Sequence, residues 1–485
     1  MSRPNILLIC TDQHRWDVLS AYGNRVVQTP NIRRLADEGV TYEHCYSPSP
    51  VCAPARASIL TGRYPSAHRL WANGVTLPEQ PVASRTLADA GYHCGRIGKL
   101  HLSAAFQGRT ETRIDDGFSH VRWAHDPFHG SPQNAYHAWL REKHPAIWER
   151  ARSQIVTPDS RYKHQPTAFD RMPTEAHYLT WVADETKTFL RTRQPDGEPF
   201  FLWVNFYDPH HPFVAPEEYL AKYPPGSVPP PVGGPGELAD KPAMQLAASK
   251  ESYAGAAEGF ADYTAEEIDE LRRSYYAMVD LVDDKVGEIL DELAARGLAG
   301  NTLVVFTADH GEMLGDHGLL LKGPMMYDAA VRVPLILRWP GVLTPGRRRE
   351  ELAGLHDLSR TVLAAAGLDP LPGDQGVDLV AVAGGEAAGR AYAVAEYRDA
   401  GHPYDPPVLT TMYRTLTHKL VLWHGRPATD RPSEGELYDL TADPDEIVNQ
   451  WWNPAYQGVK AELLVELMDS YVAREDRGPV RAAPW

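Results

Sequence analysis

The strongest constraint on the fold is a repeated pattern of short apolar runs that stop abruptly at charged or amide residues. Asn5 to Thr11 reads Asn-Ile-Leu-Leu-Ile-Cys-Thr and ends at Asp12-Gln13. Tyr92 to Ile97 runs into Gly98-Lys99-Leu100-His101, and Pro199 to Phe206 runs into Asp208-Pro209-His210. Thr302 to Thr307 runs into Ala308-Asp309-His310. Runs this short and apolar on both faces predict strands covered by helices on both sides. Strands alternating with helical patterns predict an α/β fold with a mostly parallel sheet, and ligands bind beyond the carboxyl ends of such strands. The polar ends can therefore converge on one site although they lie between residues 12 and 310. Taken singly, each has a plainer reading; Asp12, for example, could simply cap the next turn.

Helical patterns fill the gaps. Thr29-Pro30-Asn31 opens one helix that stops at Gly39, and Arg85 to Gly91 reads as a short second. Ala176 to Arg191 is a third. Thr264 and Glu267 form a capping box before a long stripe from Ile268 to Leu293, which reads as core with no cofactor role, and Gly297 ends it. Residues 104–175 show little regular period and read as an excursion over the sheet that shapes specificity. Their histidines read as surface or packing residues. A proline- and glycine-rich loop runs to Pro235, Leu319 to Tyr327 is a loop carrying Lys322, and Val333 to Leu337 is a further strand. Helix 356–366 ends at Gly367, before a Pro/Gly/Ala-rich stretch. The predicted division is a large α/β domain over 1–370 and a smaller α+β domain over 371–485. The latter carries strands Tyr392 to Glu396 and Tyr413 to Trp423, the segment 436–440 and a helix over 456–473.

Composition narrows the function classes. With 64 acidic and 48 basic residues the formal charge is −16. That balance argues against a nucleic-acid or anionic-membrane partner, which would need a basic face. It also means that an anionic ligand needs a local positive pocket. The run Ile6 to Cys10 is too short for a secretory signal, and no apolar stretch is long enough to span a membrane. The cysteines, Cys10, Cys45, Cys52 and Cys94, have no zinc-type spacing and are too few for a disulfide framework, which predicts a reducing, cytoplasmic setting. Trp451, Trp452 and Trp485 predict either a buried tail or a subunit contact, so a homo-oligomer stays open.

One stretch stands apart: Cys52-Ala53-Pro54-Ala55-Arg56, continuing Ala57-Ser58-Ile59-Leu60-Thr61-Gly62-Arg63. It sets a cysteine at a helix start, where free N–H groups favour a tetrahedral anion and lower a thiol pKa. Arg56, one turn on, adds a forked cation able to hold an oxyanion or a nucleophile oxygen. A lone cysteine would read as a small buried hydrophobe. The longer string resembles the signature of the formylglycine-dependent sulfatases. The opening Pro-Asn-Ile-Leu-Leu-Ile-Cys-Thr-Asp-Gln, Gly98-Lys99-Leu100-His101-Leu102, Pro209-His210-His211-Pro212-Phe213, Thr307-Ala308-Asp309-His310-Gly311-Glu312, Gly315-Asp316-His317-Gly318 with Lys322, and Glu436-Leu437-Tyr438-Asp439-Leu440 all follow in family order.

The resemblance implies an alkaline phosphatase type of sheet. It implies that a formylglycine-generating enzyme oxidises Cys52 to an aldehyde. It also implies a divalent metal held by Asp12, Asp309, His310 and the residue at 52, with Gln13 completing the shell. Many sulfatases carry Asp and Asn at the Gln13 and His310 positions and bind calcium. An imidazole in place of an oxygen ligand moves the expectation to manganese, with calcium as the alternative. Lys99, Lys322 and Arg56 would neutralise the ester's charge, His210 or Lys322 would protonate the leaving alcohol, and His101 would act as base. Asn73 matches a substrate-binding asparagine of the wider group, although Asn73-Gly74 is equally a turn signal. A hydrated aldehyde offers one hydroxyl to attack sulfur and a second to expel sulfate, which a serine could not do.

The expected activity is hydrolysis of small aryl or alkyl sulfate esters. Gln13 and His310 also occur in the related phosphonate monoester hydrolases, so a phosphonate monoester or phosphodiester hydrolase on the same site is the alternative. Lys99, His101 and Lys322 match the sulfatases proper. A non-catalytic anion-binding protein with an unmodified Cys52 is the third reading.

Overall fold

A computed structural model describes residues 3–106, 108–152, 171–234, 236–424 and 434–475. Part of the 104–175 excursion, Pro235 and Trp485 lie outside the described residues. The main sheet contains β1 (Asn5–Thr11), β2 (Val40–Tyr46), β3 (His93–Gly98), β4 (His120–Trp123), β5 (Phe200–Asn205), β6 (Thr302–Ala308), β7 (Arg332–Val333), β8 (Leu335–Arg338) and β9 (Arg347–Gly354). The order is β9-β2-β8-β6-β1-β5-β3-β4, with β7 added to β2. Every pairing is parallel except those of β7 and β8. The four strands anticipated from their polar ends are thus the adjacent central ones, in the order β6-β1-β5-β3.

Alternation within β1 explains the two-sided burial. Leu7 and Ile9 pack on one face with α1 (Pro30–Asp37), α3 (Tyr178–Arg191) and the long α4 (Ala265–Ala295). Ile6, Leu8 and Cys10 pack on the other with α2 (Cys52–Thr61) and α5 (Asp357–Ala365). The capping box is present, with Thr264 and Glu267 bonding reciprocally, and the stripe from Ile268 to Leu293 is buried.

Several expectations need correction. The 104–175 excursion carries β4 and helices at Ala135–Lys143 and Pro145–Ala151, the first capped by Asn134. Their mixed polar and aromatic composition hid the period, because they pack on other aromatics; His125, His129 and His137 are buried there. The strand expected over 333–337 divides at Pro334, which cannot donate to a ladder. The single strand expected over 413–423 is a hairpin, with a turn at Thr415–Thr417.

That hairpin belongs to a second, antiparallel sheet: β10 (Ala393–Arg398), β11 (Leu409–Arg414), β12 (His418–His424) and β13 (Gly435–Asp439), in sequential order. The helix α6 (Gln457–Arg474) packs against it through Leu463 and Leu467. Trp451 joins this cluster, whereas Trp452 is exposed. The segment before β10 is not loose: Leu371, Leu379, Val382 and Ala383 pack into the core of the main sheet.

A buried ion pair ties this segment down. Asp357 accepts from the N–H groups of Gly354 at 2.7 Å and Val377 at 2.8 Å, and from Arg390 Nε at 2.9 Å. Burial pushes the Asp357 carboxyl up, but Arg390 and His356 hold it below its usual range. Asp357→Ala is expected to destabilise the fold by about 3–5 kcal/mol, because Arg390, with its side chain 11% exposed, loses its counter-ion and the N–H groups of Gly354 and Val377 lose their acceptor. Urea unfolding checks this. With a depressed folded pKa, the contribution is complete above the unfolded carboxyl value of about 3.9 and is lost as pH falls through the folded pKa. The gap between wild type and variant therefore narrows in acid.

Candidate active site

Sheet register assembles the site. Cys10 pairs with Asn205 on one side and with Thr307 on the other, and Gly98 pairs with Asn205. Asp12-Gln13, Lys99 and Asp309-His310 therefore leave the sheet side by side. Gly98 has φ 88°, and a Cβ there would lie 2.0 Å from the Asn205 carbonyl oxygen, so only glycine permits this approach.

Helix α2 aims its N-terminus at the same point, because extended Val51 turns directly into the helix at Cys52. Cys52 Sγ lies 3.1 Å from His310 Nε2, 3.1 Å from Lys322 Nζ, 3.5 Å from Asp12 Oδ1 and 3.7 Å from Lys99 Nζ. Burial and Asp12 push the thiol up, but Lys322, Lys99 and His310 outweigh them and hold it at about 6. Burial pushes the other three cysteines upward, and all four are free.

The carboxylates are fully buried and fixed by Arg56, itself 0% exposed. Its Nε donates to Asp309 Oδ2 at 2.8 Å and its Nη2 to Asp12 Oδ2 at 3.3 Å. Its Nη1 donates to Asn205 Oδ1 at 2.7 Å and to the Lys99 carbonyl at 3.0 Å. The sequence reading gave Arg56 an oxyanion or nucleophile oxygen to hold. In the fold its fork is occupied by the two carboxylates, so it is a positioning residue. Asn205 was missed; as the polar end of an apolar strand it carried the same signal as its neighbours.

Lys99 Nζ pairs with Asp12 Oδ2 at 2.7 Å. Burial raises the Asp12 carboxyl, but Lys99, His210, Lys322 and Arg56 together hold it well below its usual value. Burial and the charge of Asp12 raise Asp309. Two buried carboxylates side by side resist joint ionisation, a conflict that a cation between them removes. His310 donates from Nδ1 to the Gly311 carbonyl at 2.9 Å, so in this tautomer Nε2 presents its lone pair to the cluster. Donor atoms of Asp12, Cys52, Asp309 and His310 lie within 4.8 Å of one another. This set of two carboxylates, an imidazole and a thiol fits a divalent metal.

Gln13 stands at φ 62° with its N–H on Asp309 Oδ1 at 3.1 Å. Its Oε1 accepts from Lys322 Nζ at 2.8 Å, and its Nε2 faces Glu312 and His211 Nδ1. Lys322 Nζ also reaches His310 Nε2 at 3.1 Å. Glu312, whose role was not anticipated, accepts from the N–H groups of Leu314 at 2.8 Å and Leu321 at 2.6 Å, which pins the loop delivering Lys322.

The remaining expected residues form the rim. Asn73 sits in the turn that Asn73-Gly74 predicts, and its Oδ1 accepts from the Ala53 N–H at 3.1 Å, which brings its side chain beside Cys52. His210 Nε2 lies 4.0 Å from Asp12 Oδ1, while its Nδ1 donates to the His211 carbonyl at 2.6 Å. Burial, His211 and Lys322 keep His210 well below its usual pKa. His101 does not bond Cys52 among the described residues. Its ring meets His125 edge-on at 4.6 Å, its Nδ1 is buried without a partner, and burial and Lys99 hold it down at about 3.

Fold and site together define the class: an α/β protein of the alkaline phosphatase type, with a group of side chains that could hold a metal at the strand ends. A family model described as sulfatase matches residues 4–368, and one described as N-sulphoglucosamine sulphohydrolase, C-terminal, matches 315–473. The chain belongs to the sulfatase family and is a sulfuric ester hydrolase. It is 30% identical to an uncharacterised sulfatase, YidJ, of Escherichia coli, across 100% of this chain and 90% of that one. It is 28% identical to an arylsulfatase of Clostridium perfringens, across 92% and 90%. A phosphonate monoester hydrolase of Agrobacterium radiobacter superposes with a TM-score of 0.81 at 26% identity, covering 99% and 100%.

Proposed function

We propose that the enzyme hydrolyses sulfate monoesters of aryl or small alkyl alcohols, using formylglycine made from Cys52 by a formylglycine-generating enzyme. One divalent metal would be held by Asp12, Gln13, Asp309, His310 and residue 52, with manganese favoured over calcium by the imidazole donor. The observation that carries this reading is the placement of Cys52 Sγ against both Lys99 and Lys322 beside two buried carboxylates. Four buried free thiols support a cytoplasmic setting.

A bound divalent metal would supply Lewis acidity, and formylglycine at position 52, once hydrated, would supply two hydroxyls. The chain's own residues supply the rest. Lys99 and Lys322 flank residue 52 and neutralise the charge that grows on the sulfuryl oxygens. Asp12 holds Lys99 in place, and Gln13 holds Lys322. The Lys322 ammonium hands its proton to the departing alcohol oxygen. His210, whose Nδ1–H is committed to the His211 carbonyl, presents an acceptor-only Nε2, so in this tautomer the proton for the leaving oxygen comes from Lys322 rather than from His210. His101 is the base assigned to the second hydroxyl, although burial and Lys99 hold it at about 3 and so make it a weak base near pH 7.

A phosphonate monoester hydrolase is the second reading. Gln13 and His310 favour it, and so does the likeness to the Agrobacterium enzyme. Steady-state kinetics on the matured enzyme separate the two. An aryl sulfate is expected to show a higher kcat/KM than the matching phosphonate monoester. A phosphonate preference of tenfold or more would transfer the conclusion to the second reading.

A further inference from the structure

Next to the site lies a cavity of about 50 Å³ that the chemistry above does not use. Phe128, Trp148, Tyr178 and Tyr207 contribute to its wall, with His210 and Asp208. At about 10–15 Å³ for each water-sized occupant, it holds roughly four heavy atoms. Its tyrosine hydroxyls point elsewhere: Tyr178 donates to the Ala124 carbonyl at 3.0 Å and Tyr207 to the His211 carbonyl at 2.6 Å. Ring carbon is what these residues leave to the cavity.

Asp208 is the exception among these walls. Its side chain is buried, with the residue only 3% exposed, yet no lysine or arginine pairs with it among the described residues. His177 Nε2 lies 3.8 Å from Asp208 Oδ1, beyond hydrogen-bond distance. His177 takes the Leu179 N–H on its Nδ1, and burial holds its pKa at about 3, so it brings no charge. No lysine or arginine is among the described lining residues. Burial accordingly pushes the Asp208 carboxyl up to about 8. Among the described residues this carboxyl has no cationic partner, and aromatic walls attract a cation.

We propose that this cavity takes a compact ammonium group carried by the alcohol half of the ester, with Asp208 as its counter-ion. Four heavy atoms match a trimethylammonium head. Position agrees with this, because His210 belongs both to the cavity wall and to the site, with its Nε2 4.0 Å from Asp12. An alcohol bound at the site and extending past His210 would direct its far end into the cavity. The ester part of this inference rests on the sulfatase reading; the ammonium site itself does not.

Two measurements on the full chain test it. The first compares sulfate esters of two-carbon alcohols ending in trimethylammonium or in the isosteric tert-butyl group. The cationic ester is expected to show a kcat/KM higher by roughly tenfold or more. Asp208→Asn should bring that ratio close to one, and Trp148→Ala should reduce it in a chain whose carboxyl is intact. Equal kcat/KM values for the pair, or a ratio untouched by both variants, overturn the proposal. The second measurement is calorimetric titration with tetramethylammonium, which needs no turnover. Binding to the wild-type chain that Asp208→Asn weakens sustains the site even if no sulfate ester is hydrolysed. Absence of binding to the wild type overturns it even if sulfate esters are hydrolysed.

Discussion

Cys52→Ala is expected to lower ester hydrolysis by on the order of 10⁴-fold or more, with little change in stability. The side chain is small and alanine fits the helix start, so the loss is chemical. Sγ is the atom on which Lys99, Lys322, His310 and Asp12 converge, and no other cysteine has such surroundings. Cys52→Ser should be nearly as inactive, because a serine made in place has no second hydroxyl with which to expel sulfate. Mass analysis of the peptide carrying residue 52, from protein made with and without a formylglycine-generating enzyme, completes the test. An aldehyde is expected, with activity rising in proportion to it. A plain thiol together with full hydrolysis would rule out the formylglycine route.

Asp309→Asn is expected to cost on the order of 10³-fold in kcat/KM and most of the bound metal. Its Oδ1 accepts from the N–H groups of Gln13 and His310, at 3.1 and 2.9 Å, and its Oδ2 accepts from Arg56. An amide keeps the shape but can accept at only one of those positions, and it carries no charge to set against a dication. Arg56 retains Asp12 and Asn205, so the buried guanidinium is not stranded and the fold should survive. Elemental analysis, kinetics with added manganese or calcium, and an unfolding curve separate these effects. Wild-type metal content in the variant would remove Asp309 from the ligand set.

Much of the site was legible because strand ends are local. An apolar run that stops at Asp12-Gln13 or Asp309-His310 announces both a buried strand and its polar end, wherever the strand pairs. The motif at Cys52 likewise carries its own helix start. What was missed depended on neighbours remote in sequence. β9 begins Arg-Arg-Arg-Glu-Glu, which a sheet edge tolerates and a central strand would not. The helix Ala135–Lys143 buries Tyr136, His137 and Trp139 together, and no periodicity of apolar residues marks it.

The division between the two sources follows from range. Chain order and residue type were enough for the α/β class, the central strands, the capped α4 and the set of polar ends, since each depends on a few adjacent residues. Pairing was not among them. Arg56 became a clamp on Asp12 and Asp309 because β1 and β6 are neighbours in register, although their sequences are some 300 residues apart. His101 turned toward His125, and Asp208 came to face aromatic rings, because an excursion with no readable period folded over the sheet. Side-chain partners, and the charge states they impose, are properties of burial and of long-range contact. Only the folded chain supplies those.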